Sequence, residues 1–255
     1  MQESQRQSGR GPGPAGRGTD KRGLGPAGRG VFITFDGGEG VGKSTQILLL
    51  GMRLEAAGIE VCRLREPGGT RVGEAIRQIL LDPAYVEIDD MGELLLYEAA
   101  RAQLTGQVIE PALARGATVL CDRFTDSTLA YQGVARGLGI ELVEQANRLG
   151  SRGLVPQRTI VLEYDAADAL SRATEQGADR LEAEGPAFHG RVVQGFRSLA
   201  EREPERVRLV QSRKRKAETA EAVFAEVADL FPPEAAKAFK ITDEMIARVK
   251  QERDQ

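Results

Sequence analysis

The chain has 255 residues, 41% of them hydrophobic, enough to bury one sizeable core with some excess. Its formal net charge of −3 excludes the global basic field of a non-specific nucleic-acid binder. No run approaches the roughly 18 consecutive apolar residues of a spanning helix, and the charged N-terminus has no apolar stretch behind it, so neither nucleic acid nor membrane is an expected partner and the cytoplasm is the expected compartment. Cys62 and Cys121 are too few for a cysteine zinc site; both lie in apolar, strand-like runs and read as reduced thiols.

Residues 1–30 are rich in Gly, Pro, Arg and Ser, with Leu24 the one large apolar side chain after Met1. Burial on that scale does not offset ordering entropy, and a disordered, solvated tail is predicted. A single folded domain is predicted over 31–231. It opens on Val31-Phe32-Ile33-Thr34-Phe35, a short β-prone apolar run ended by Asp36-Gly37-Gly38. A helix is predicted over 43–57, closed by Gly58, then a strand over 59–64. Helical patterns over 72–81 and 92–115 lead to a strand over 117–121, a helix over 140–149, and strands over 159–162 and 207–210. Near-continuous apolar strands alternating with helices imply an α/β fold, a doubly wound parallel sheet covered on both faces. Beyond Phe231-Pro232-Pro233, residues 232–255 read as an appended helical or flexible tail.

Chemistry enters at Gly37-Gly38-Glu39-Gly40-Val41-Gly42-Lys43-Ser44, which matches G-x-x-x-x-G-K-[ST] between the first strand and the first helix. Such a P-loop curls backbone N–H groups around phosphate oxygens at a helix N-terminus, and its glycines keep Cβ atoms out of the way. Lys43 is then placed for the β- and γ-phosphates of ATP, Ser44 for Mg²⁺, and Thr45 continues the turn. A P-loop names a mononucleotide site and no particular reaction. Arg65 ends the second strand, and Asp122 and Arg123 end the third, where open α/β sheets hold ligands. Tyr97 and Arg101, four residues apart, share one helix face. His189 and the run Arg213-Lys214-Arg215-Lys216 read as solvated side chains.

Four segments in this order resemble the thymidylate kinase family: Phe35 to Thr45, Arg65-Glu66-Pro67-Gly68-Gly69-Thr70, Tyr97-Glu98-Ala99-Ala100-Arg101, and Asp122 to Gln132. The resemblance spans residues 31–230, and its most specific part is Arg-Glu-Pro-Gly-Gly-Thr. It implies a P-loop kinase fold with five parallel strands, helices on both faces and a short lid over about 172–186. It implies phosphorylation of dTMP to dTDP by ATP and Mg²⁺, and a homodimer. By the same resemblance Arg65 grips the dTMP phosphate and Glu39 takes its 3′-hydroxyl. Tyr97 stacks on thymine while Arg101 donates to a base carbonyl. Ser127, Thr128, Tyr131 and Gln132 surround thymine and deoxyribose, Asp122 holds Mg²⁺, and Arg123 bridges the two phosphate groups. The bacterial pattern also places arginines in the lid; Arg172 and Arg180 are the candidates, since Thr174 and Gln176 stand where arginines are common and Gly40 occupies the P-loop alternative. Two other readings stay open here: a different P-loop nucleoside or nucleoside monophosphate kinase, and a non-catalytic nucleotide-binding regulatory protein.

Overall fold

A computed structural model describes residues 29–38, 40–164, 180–181, 183–212, 215–237, 241–242 and 245–247. The predicted tail up to residue 28, Glu39, Arg172 and the lid through Asp179 lie outside the described residues.

Five strands, β1 Phe32–Gly37, β2 Val61–Arg65, β3 Thr118–Asp122, β4 Arg158–Tyr164 and β5 Val207–Ser212, form one sheet in the order β2-β3-β1-β4-β5. All four pairings are parallel. β1, β3 and most of β4 are buried, as expected for central strands covered on both faces. Side-chain alternation divides the core. Ile33 and Phe35 join Leu50, Leu54, Val223 and Phe224 on one face, while Phe32 joins Leu104, Val119 and Phe124 on the other. A third cluster, Tyr131, Val161, Phe188, Phe196 and Val207, fills the far end.

The helices in chain order are α1 Lys43–Ala56, α2 Arg71–Leu81, α3 Asp90–Leu104, α4 Glu110–Ala114, α5 Thr125–Thr128, α6 Ile140–Gly150, α7 Pro186–Arg202, α8 Lys216–Ala225 and the single turn α9 Glu234–Lys237. Their starts have visible causes. The Thr70 side chain accepts from Gly73 N at the head of α2, and Asp89 accepts from Met91 N and Gly92 N at the head of α3. Each such cap contributes about 1 kcal/mol. The helix predicted as continuous over 92–115 is interrupted: Thr105–Ile109 forms a wide π-helical turn between α3 and α4. Pro111, in the first turn of α4, has no N–H to give the ladder, and the chain widens just before it. A second π-helical segment, Leu129–Ala135, extends α5.

Parallel register brings the functional ends together. Phe35 and Arg65 both align with Asp122, and Gly37 aligns with Leu162. The carboxyl ends of β1, β2 and β3 therefore share one edge, where an open α/β sheet places its ligand.

Candidate active site

At that edge β1 gives way to α1 through the Gly-rich loop. Gly37 sits at φ +120, and a Cβ there would lie 2.2 Å from the Leu162 carbonyl oxygen, so the strand–loop junction admits only glycine. Gly42 caps α1 from the left-handed region at φ 98. Lys43 begins the helix, and its Nζ donates to the carbonyls of Gly38 at 2.8 Å and Gly37 at 3.4 Å, folding the ammonium back over the loop. Ser44 Oγ donates to Asp122 Oδ2 at 3.1 Å. Two further hydroxyls hold the loop from behind: Tyr164 donates to the Gly40 carbonyl, and Ser212 to the Val41 carbonyl at 2.9 Å.

In front of the loop lies a cavity of about 360 Å³. Gly40, Lys43, Ser44 and Asp122 line it from the P-loop and the end of β3; Tyr97 and Arg101 line it from α3, and Thr128, Tyr131 and Gln132 from the stretch after β3. Arg65, Arg77, Arg123, Ser127 and Leu181 also line it. The residues predicted from α3 and from the stretch after β3 thus meet the P-loop around one space. Arg65 is held by Glu74, which accepts from Arg65 Nη2 at 3.0 Å and from Gly69 N at 2.8 Å. The Gly69 hydrogen bond, aided by the Arg65 charge, holds the Glu74 carboxyl below its usual range. Arg123 has φ 69, a left-handed conformation rare outside glycine, and its Nη1 donates to Gly37 O at 3.2 Å and Ser127 Oγ at 3.1 Å. Its guanidinium lies 5.1 Å from the Tyr131 ring centroid. Tyr97 is partly buried; burial, with the nearby Glu93 charge, pushes its phenol well up.

Arg101 is fully enclosed, and each of its five N–H groups has an acceptor. Nε donates to Glu66 at 2.9 Å, Nη1 to Glu98 and to Asn147 at 2.8 Å, and Nη2 to Thr128 Oγ1 at 2.7 Å and the Phe124 carbonyl at 3.2 Å. A base carbonyl reaching Arg101 would have to share a donor with Thr128 or Phe124. Two buried carboxyls stand nearby. Burial, reinforced by the Asp126 charge, raises Asp36 from 3.8 to about 7, while Ser127, which donates to its Oδ1, pulls the other way. Burial likewise raises Glu66 to about 7 against the opposing pull of Arg101.

Arg180 stands apart from the P-loop. Its Nε donates to the Leu80 carbonyl at 2.9 Å and its Nη2 to Glu93, beside a smaller surface hollow that it lines with Arg136 and Glu184. Sequence reading passed over Asp36, Glu66, Arg77 and Glu93. Asp36 and Glu66 lie inside recognised motifs, and their burial at the sheet edge was the available signal. Arg77 and Glu93 earn their place through partners that no local pattern reveals: the Pro67 carbonyl, and Gln132 with Arg136.

Mg²⁺ fits the donors present. The Ser44 hydroxyl and Asp122 carboxylate are already within 3.1 Å of one another, and a hard cation of this kind takes one or two protein oxygens plus substrate phosphates. Among the described residues no cluster of three His, Cys, Asp or Glu side chains offers a dedicated metal cage, and no helix is long and apolar enough to cross a membrane.

A five-stranded parallel sheet, a P-loop at its edge and an arginine-lined cavity in front of that loop define a P-loop kinase of small phosphorylated acceptors. The thymidylate kinase family model matches residues 35–223. A thymidylate kinase of Pelotomaculum thermopropionicum is 52% identical over 71% of this chain and 85% of its own. That of Deinococcus radiodurans is 48% identical over 78% and 97%. In structure, the thymidylate kinase of Ehrlichia chaffeensis matches 79% of this chain and 98% of its own with a TM-score of 0.62 and 32% identity. The chain belongs to the thymidylate kinase family.

Proposed function

We propose that this chain transfers the γ-phosphoryl group of ATP to dTMP, giving dTDP and ADP, with the cavity divided between the two nucleotides. The observation carrying the division is a 360 Å³ space lined both by Lys43 and Ser44 of the P-loop and by Tyr97, Thr128 and Gln132. The acceptor phosphate is an anion at neutral pH, so no strong general base is needed; positioning and charge neutralisation supply the catalysis. The backbone from Gly37 to Thr45 cradles the donor phosphates, and Lys43 reaches from the loop carbonyls to the β- and γ-oxygens. Arg65 takes the acceptor phosphate, and Arg123 stands where donor and acceptor charges crowd. Ser44 and Asp122 would hold Mg²⁺, which would neutralise charge on the donor phosphates. Tyr97 gives a stacking face, Thr128 and Gln132 read the base edge, Tyr131 lies along the sugar, and Glu39 takes the 3′-hydroxyl. Ser127, tied to Asp36 and Arg123, fixes the turn that carries them. Arg101, with its donors engaged, acts chiefly as the strut that holds Thr128 and Glu66 in the cavity wall. Arg180 anchors the lid base at Glu93, which leaves Arg172 as the lid arginine for the ATP phosphates. The chain works as a homodimer in the cytoplasm.

The test is ADP release with ATP, Mg²⁺ and each of dTMP, dUMP, dCMP, AMP and thymidine. The highest kcat/KM is expected with dTMP. Preference for another acceptor, or no acceptor-dependent turnover, overturns the proposal.

A further inference from the structure

Behind the base-reading end of the cavity is a buried ionic cluster that phosphoryl transfer itself does not use. Its centre is Glu93, on α3 one turn before Tyr97 and 0% exposed. Glu93 Oε1 accepts from Gln132 Nε2 at 2.7 Å and from Arg136 Nε at 3.3 Å; Oε2 accepts from Arg136 Nη2 at 3.1 Å and from Arg180. We infer that Glu93 is a positioning residue that sets which way the Gln132 amide faces, so that the acceptor cavity takes a pyrimidine offering an N–H at ring position 3 and rejects one with a bare nitrogen there. This rests on the dTMP kinase reading above and extends it to the choice of base.

Two guanidiniums flank one carboxylate, the arrangement a buried charge needs to stay ionised. Burial pushes the Glu93 carboxyl upward, but the hydrogen bonds from Arg136, Gln132 and Arg180 and the Arg136 charge outweigh it and hold the group below its usual range. An ionised carboxylate only accepts hydrogen bonds, so the Gln132 atom facing it must be the NH₂ group. Gln132 itself lines the cavity together with Tyr131 and Thr128 and is 2% exposed. With Nε2 turned back to Glu93, the carbonyl oxygen Oε1 is the polar atom left for the ligand. A carbonyl there accepts from the imide N–H of thymine or uracil. Opposite cytosine it meets a lone pair with a lone pair, leaving a buried acceptor unpaired on each side, the condition under which polar sites discriminate most strongly.

A neutral amide at position 93 both donates and accepts, so it no longer imposes one orientation on Gln132. The experiment compares kcat/KM for dTMP and for 5-methyl-dCMP, which differ only at ring position 3 and the neighbouring exocyclic group. In Glu93→Gln the dTMP preference is expected to narrow by about tenfold or more, through loss of dTMP affinity, with the ATP KM within about twofold. Arg136→Gln, which thins the cluster but keeps the carboxylate, is the control for a merely structural effect; its preference should stay within about threefold of the parent. An unchanged ratio in Glu93→Gln, or an equal narrowing in Arg136→Gln, overturns the inference. Should Glu93→Gln fail to fold, Gln132→Ala replaces it: the ratio must narrow by about tenfold or more, and a preserved ratio overturns the inference equally. A parent enzyme that does not phosphorylate dTMP at all refutes the kinase reading itself, a distinct result from these.

Discussion

Asp36 shows how a residue at the sheet edge carries strain of an electrostatic kind. It is the penultimate residue of β1 with 0% exposure, its Oδ1 is occupied by Ser127, and its Oδ2 is buried without a partner. Burial and the Asp126 charge raise its pKa from 3.8 to about 7, so the folded state holds a proton that the unfolded chain releases between those values. A raised folded pKa has this consequence: well below 3.8 both states are protonated and the group costs nothing, whereas stability falls as pH rises from there toward 7, by at most ~4 kcal/mol. Asp36→Asn keeps an acceptor for Ser127 and removes the charge. Urea unfolding of the ligand-free protein should show it more stable than the parent at pH 8 and equal to it near pH 4; a gain that does not depend on pH contradicts this origin. Position in a motif was legible here, since Asp36 stands directly before the P-loop, but the burial that shifts it was not. Asp126 likewise stands inside a recognised segment, while its partner Arg206, at 2.6 and 2.8 Å, comes from a turn 80 residues away that no local pattern points to.

Elements were legible where periodicity and punctuation agreed. The strands at 32–37 and 118–122, the helix opened by Lys43 and the helix ending at Leu81 all follow apolar runs bounded by Gly, Asp or Thr. The helix Pro186–Arg202 lies outside the elements expected from sequence, although Phe188, Val192, Phe196 and Leu199 repeat at helical spacing along it. The region beyond Phe231 was read only as an appended tail, and its described part has a definite seat. Arg53 of α1 donates to the carbonyls of Ala235 at 3.3 Å and Ala236 at 3.2 Å, and its guanidinium lies 3.7 Å from the Phe224 ring centroid. Ile241 packs with Leu48, Leu49 and Met52 on the same helix. Since α1 carries Lys43 and Ser44 at its other end, this contact braces the helix that presents the P-loop. Arg53→Ala removes two hydrogen bonds to backbone, a partly exposed ion pair to Glu221 at 3.0 Å and a buried cation–π contact, an expected loss of about 2–3 kcal/mol in urea unfolding. The dTMP and ATP KM values should stay near those of the parent. A stability change within about 0.5 kcal/mol would show that α9 is not seated through Arg53.

At the scale of the whole molecule the sequence supplied the count and the parallel sense of the strands, but the order β2-β3-β1-β4-β5 depends on which strands find each other across long separations. No local pattern encodes that order, and it is the order that sets Arg65, Asp122 and Gly37 side by side. One surface of the assembled domain remains unmatched. Helices α2 and α6 both pack against α3, and together they present Val72, Ile79, Met91, Leu95, Leu142 and Leu149 to solvent, with Leu95 57% and Leu149 80% exposed. Scattered exposed apolar residues are ordinary, but their placement on three neighbouring helices is what a self-association face would need, and a homodimer is proposed to use it. A two-fold pairing through this face would cover it with a copy of itself and brace α3, the helix that carries Glu93, Tyr97 and Arg101. Light scattering at micromolar concentration should therefore give twice the 27.6 kDa chain mass, and Leu95→Glu, which places a charge in the face without touching the cavity, should shift the population toward the single-chain mass. A parent protein that runs as a monomer rules out the pairing, and a Leu95→Glu dimer as tight as the parent moves it to another face.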